Sequence, residues 1–178
     1  MKQKALTALI LAVVMMVLYI AFAFRQIPKE IGPWRFGIAA IIALIHDIFI
    51  TLGFYALLGH WTGAEVDALF VTAILTIIGF SVHDTIVVFD RIREKLKHQK
   101  RGESFEHVAD LALNETLARS VNTSLSAIIT VSILALFGAQ SIQHFLLTLV
   151  VGFTMGTYSS IFVATPLLVS WHNQNNKK

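Results

Sequence analysis

Five apolar stretches run along this chain, at roughly Ala5 to Phe24, Phe36 to Leu58, Ala68 to Phe89, Ser120 to Phe137 and Phe145 to Ser170. At about 1.5 Å of rise per residue, a helix of about 20 residues matches a hydrocarbon core of about 30 Å. Backbone amides in lipid must be satisfied within a helix or a closed barrel, and these runs lack the alternation and turn spacing of barrel strands. The expected fold is therefore an all-α membrane protein, a five-helix transmembrane bundle. A composition of 56% apolar and 14% charged residues lies far from that of a soluble domain. No segment between the spans is long enough for a second domain, so residues 1–178 are expected to form a single transmembrane domain with a loop at 91–119.

Charge orients the bundle. Of the 14 Lys and Arg residues, 12 fall on one side, in Arg25 to Arg35, Arg91 to Arg119, Lys177 and Lys178; Lys2 and Lys4 lie on the other. The positive-inside tendency makes the long loop and the C-terminus cytoplasmic. The net charge of +3 then reads as topology and contact with anionic lipid head groups, with no nucleic-acid partner expected. The first apolar run is long for a signal peptide and lacks a small-residue cleavage pattern; Arg25 and Pro28 mark the stop after a span. The absence of cysteine excludes disulfides and thiolate metal sites.

Within the loop, Phe105, Val108, Leu111, Ala112 and Leu117 recur at helical spacing, which predicts an amphipathic helix on the cytoplasmic surface with Ser104 as its N-cap. The intramembrane polar groups carry more information, because ionisable groups at that depth are costly. Asp47 lies about 16 Å along the second helix, with Thr51 on the same face one turn later. Asp84 lies late in the third helix, with Ser81 three residues before it. For each acid the plain structural reading is a satisfied interhelical hydrogen bond. Arg119, Asn122, Ser126 and Thr130 form a stripe on the fourth helix that needs a polar partner or water inside the bundle. Gly152, Gly156, Ser160 and Ala164, spaced by four, form a small-residue ridge on the fifth helix for close helix packing, and Pro166 is placed to kink it.

His46 and His83 each precede an acid and could relay protons or simply hydrogen-bond. Neither belongs to a helical pair at i and i+4, so no metal site is expected. Ser81, His83 and Asp84 share one helix turn and cannot form a hydrolase triad. No nucleotide-binding loop, placed nucleophile or metal cluster points to an enzyme.

Four segments carry a resemblance: LTIIGFSVHDTIVVFDRIRE at Leu75 to Glu94, ALIHDIFITLG at Ala43 to Gly53, LNETLARSVNTS at Leu113 to Ser124 and GTYSSIFVATPLL at Gly156 to Leu168. Together, and in this order, they resemble the SecF family of bacterial protein-export membrane proteins. The resemblance implies a bundle related to the proton-driven RND exporters, paired with SecD beside the SecYEG channel and with YajC, acting on a translocating polypeptide in the cell inner membrane. Protons would be the coupling ion, with no other cofactor. It also implies that Asp84 and Arg119 serve proton transport, with Asp47 as a second acid; His83 stands where the family usually has Asn, and His83, His46 and Ser81 are candidate relay groups. Members of that family have six helices and a periplasmic domain between the first two, and this chain begins at what resembles the second.

The expected mechanism is a switch in which Asp84 and Arg119 make and break contact as the acid loses and gains a proton. Two other classes are weighed beside it. A small-molecule RND exporter would be expected to carry large external loops, and a non-conducting structural subunit would tolerate neutral substitutions at Asp84 and Arg119.

Overall fold

The computed structural model describes residues 2–24, 33–99 and 102–175; Arg25, Pro28, Lys100, Arg101, Lys177 and Lys178 lie outside them. The chain forms helices α1 (Lys2–Ala23), α2 (Pro33–Thr62), α3 (Ala68–Lys97), α4 (Phe105–Phe137), α5 (Gln143–Ser159) and α6 (Thr165–Asn175). A π-helical turn, Ser160–Ala164, joins α5 to α6 as one rod. Among the described residues, four helical stretches are long and apolar enough to cross a membrane, and α1 adds a shorter apolar run, Ile10–Ala23. The all-α bundle expected from the long apolar stretches is thus the architecture found, with five rods among the described residues.

Local chemistry explains the boundaries. Helix α2 ends where Gly63, at φ 73°, turns left-handed and its N–H donates to the Gly59 carbonyl, a conformation cheap only for glycine. Asp67 caps α3 by accepting from the Phe70 N–H at 2.8 Å. Ser104 caps α4, accepting from the His107 N–H at 3.2 Å.

The segment read as a loop at 91–119 is helical over most of its length. Helix α3 runs on to Lys97 because DRIREKLK is rich in helix formers and carries Asp90–Arg93 and Arg91–Glu94 ion pairs at i and i+3. The expected surface helix after Ser104 is the first part of α4 itself, since no glycine or proline interrupts Phe105–Phe137. Its buried seam is Phe105, Val108, Ala109, Ala112 and Thr116, while Leu111 and Leu117 of the expected apolar face are exposed.

Helix α5 packs against α2, α3 and α4, and α1 sits at the edge against α2 and α3. One end of the bundle is closed by an aromatic cluster in which the Phe24, Phe36 and Phe89 rings lie 5.3–5.8 Å apart. The outer surfaces are apolar: Ile45, Phe49 and Leu52 on α2 and Leu125, Ile129, Ile133 and Leu136 on α4 are exposed. A surface of that kind suits lipid or another membrane helix.

Candidate functional site

Asp47 is wholly buried where α2, α3 and α5 meet. Its Oδ2 accepts from Ser81 Oγ of α3 and from Ser159 Oγ of α5, each at 2.6 Å, and its Oδ1 lies 3.0 Å from His46 Nδ1. A carboxylate away from water needs donors of this kind, and hydrogen bonds to a charged acceptor are the strong ones. Thr51, fully buried on the same face, donates to the Asp47 backbone carbonyl at 2.8 Å and leaves the carboxylate to the serines.

Asp84, 7% exposed, accepts at Oδ2 from Ser160 Oγ at 2.5 Å. Consecutive residues on a helix point about 100° apart. Ser159 and Ser160 therefore reach acids on two different helices, Asp47 of α2 and Asp84 of α3. The π turn starts at Ser160, and Thr165 Oγ1 donates to the Ser160 carbonyl at 3.0 Å. Such turns often mark functional sites in helices.

The small-residue ridge explains how the acids come under these serines. A Cβ on Gly152 would stand 2.2 Å from Ile77 Cδ1 and 2.3 Å from its Cγ1, and one on Gly156 would stand 3.1 Å from Ser81 Cβ. The missing side chains let α5 lie directly on α3, which holds Ser81 in reach of Asp47. Ser160 and Ala164, on the same ridge, are fully buried.

Arg119 is placed differently from the expectation. Among the described residues it makes no ion pair with Asp84; it is exposed and lines a cleft of about 610 Å³ with Asp90, Arg91, Glu94 and Glu115. There the ion pairs are Arg91–Glu115 and Lys95–Glu115, each at 2.5 Å, joining α3 to α4. Asn122, Ser126 and Thr130 also face outward, correcting the reading of that stripe as the bundle-facing one. The polar residues that α4 turns inward are Thr116, Ser120 and Ser124, a face out of phase with that stripe. His83 is exposed, lining a cleft of about 400 Å³ with Met15 and Tyr19 of α1, so it does not join His46 and Ser81 at Asp47. No group of three His, Asp or Glu side chains converges to hold a metal among the described residues.

Ser159 carries no periodic signal and sequence reasoning passes over it, while Ser160 reads only as a packing position. The available cue is a Ser-Ser pair inside an apolar helix shortly before Pro166.

This arrangement has close counterparts. The family model described as protein export membrane protein SecD/SecF, C-terminal, matches residues 1–174. The chain is 52% identical to protein translocase subunit SecF of Thermobaculum terrenum, covering 98% of this chain and 54% of that protein. It is 38% identical to protein translocase subunit SecDF of Bacillus subtilis, over 99% of this chain and 22% of that one. The crystal structure of SecDF, a translocon-associated membrane protein from Thermus thermophilus, superposes with a TM-score of 0.85 at 37% identity, over 97% of this chain and 22% of that one. The chain spans about half the length of the SecF relatives it matches. Agreement of this extent in sequence and in fold means that the chain is a multi-pass membrane protein and belongs to the SecD/SecF family of protein export membrane proteins, over its C-terminal region.

Proposed function

We propose that this chain works as a SecF-type subunit of the Sec export machinery, using the proton motive force together with SecD to assist polypeptide translocation across the cytoplasmic membrane. The observation that carries the reading is Asp84: an ionisable group buried in the bundle, held by one serine hydroxyl, in a chain half identical to a SecF protein. Intramembrane acids of this kind mark ion pathways.

In this reading Asp84 takes up and releases the coupling proton, Arg119 approaches it in the alternate state, and Asp47 is a second acid. No other cofactor is involved. Ser160 holds Asp84 while Arg119 lies out in the cleft beside Glu115, which supports a reading with an arm of the cycle in which the two are apart. Each proton brings about 2.3 kcal/mol per 100 mV of membrane potential and about 1.4 kcal/mol per pH unit. That is on the scale of one repacked helix contact.

His83, Arg119 and Asn122 support a second membrane bundle as partner. The outward hydroxyls of Thr72, Thr76, Ser126 and Thr130 donate to their own helix carbonyls at 2.8 Å and so tolerate lipid. The imidazole, guanidinium and amide have no such outlet among the described residues, and SecD is the partner that would cover them beside SecYEG and YajC. The side bearing Arg91 to Lys97 faces the cytoplasm and its anionic lipid in this topology. In inner-membrane vesicles carrying the complete complex, Asp84→Asn is expected to abolish the proton-gradient stimulation of precursor export while SecD still co-purifies. Undiminished stimulation by that variant contradicts the proposal.

A further inference from the structure

The two buried acids are tied to adjacent residues of one helix, and those residues compete for one acceptor. Ser159 Oγ lies 2.6 Å from Asp47 Oδ2 and 3.2 Å from the Gly156 carbonyl oxygen. Ser160 Oγ lies 2.5 Å from Asp84 Oδ2, 3.1 Å from the same Gly156 oxygen and 3.0 Å from the Thr157 oxygen. A hydroxyl has one proton to donate, and a carbonyl oxygen has two lone pairs. One lone pair of Gly156 already accepts the Ser160 backbone N–H, which leaves room for one serine hydroxyl.

We propose that Ser159 and Ser160 are positioning residues that couple the protonation of Asp47 to that of Asp84, disfavouring both at once, through the remaining lone pair of the Gly156 carbonyl. When Asp84 takes up a proton, an O–H bond forms on its carboxylate, its charge is cancelled, and it donates to Ser160 Oγ. The Ser160 proton then turns back to its own helix. If it takes Gly156, Ser159 loses its alternative acceptor and stays committed to ionised Asp47. When Asp47 is the protonated acid, Ser159 takes Gly156 and Ser160 stays on ionised Asp84. Thr157 gives Ser160 a second outlet, whereas Gly156 is the one helix carbonyl within reach of Ser159 among the described residues, so Ser159 is the stricter half of the link.

Among the described residues, few other charges bear on the pair. His46 lies on Asp47, Tyr158 of α5 stacks on His46, His83 and Asp90 of α3 are exposed, and Arg119 of α4 is exposed. Between Phe145 and Trp171 the α5–α6 rod carries no acid, lysine, arginine or histidine.

The inference takes from the function proposed above only that Asp84 gains and loses a proton. Its test is difference infrared spectroscopy of the carboxyl stretch in the lipid-reconstituted complex with SecD, titrated with pH, with bands assigned by Asp47→Asn and Asp84→Asn. Asp47→Asn is expected to move the Asp84 midpoint by about one pH unit or more, the mark of coupled sites. In a Ser159→Ala background that shift should fall below half its size, and Ser159→Thr, which keeps the hydroxyl, should restore it. Ser160→Ala cuts the link from the other side and replaces Ser159→Ala should that variant not assemble. A shift of equal size with and without the serine hydroxyl means direct charge repulsion and overturns the inference, as does no shift at all. An Asp84 band that never titrates defeats the proposed function as well; one that titrates independently of Asp47 defeats this inference alone.

Discussion

Ser159 of α5 donates to Asp47 of α2 at 2.6 Å, across 112 residues of chain and inside a fully buried pocket. With Ser81 on the same oxygen, this bond closes the contact of three helices. Hydrogen bonds to a charged group contribute about 1.5–3 kcal/mol, and a buried acceptor that loses one is left uncompensated. Ser159→Ala is expected to destabilise the bundle by about that amount, read from thermal unfolding in detergent. An unchanged midpoint would show that Asp47 does not depend on this donor.

The α5 ridge sets a second expectation. A methyl at Gly152 meets Cγ1, Cγ2 and Cδ1 of Ile77, the body of a branched side chain that is itself fully buried, so it cannot move aside cheaply. Gly152→Ala should cost about 1–3 kcal/mol, the usual range for overpacking. Ile77→Ala in the same chain should recover part of that loss, and a double-mutant cycle measures the recovery. Strictly additive losses would place the two residues apart.

Arg119 offers a separation of stability from function. It is exposed and makes no ion pair with Asp84, so Arg119→Ala is expected to change folding stability by no more than about 0.5 kcal/mol. Proton-dependent export, by contrast, should be lost. Loss of stability and export together would mean a structural role for the guanidinium.

The sequence made the rods and the buried face of Asp47 legible because length, apolarity and a four-residue polar spacing survive any packing arrangement. The phase of α4 was harder. Arg119, Asn122, Ser126 and Thr130 interleave with Ser120 and Ser124, and one residue along a helix turns the face by about 100°. Which stripe faces inward depends on α5 and α3, not on α4 alone. The same rotation sends His83 outward beside an inward Asp84. Ser159 stayed hidden because its role comes from contact with α2, and adjacent serines on one helix make no periodic pattern. The separate surface helix disappeared into α4 because only a break would have divided it, and Phe105–Phe137 contains no glycine or proline.

Asp84 is proposed to carry the coupling proton. The most direct measurement of that role is proton entry, followed with an internal pH dye, into liposomes holding the complex of this chain with SecD under an imposed proton gradient. Clear proton entry is expected with the native chain, and at least a tenfold loss in Asp84→Asn, with the complex still assembled. Native-level proton entry in Asp84→Asn would contradict that role.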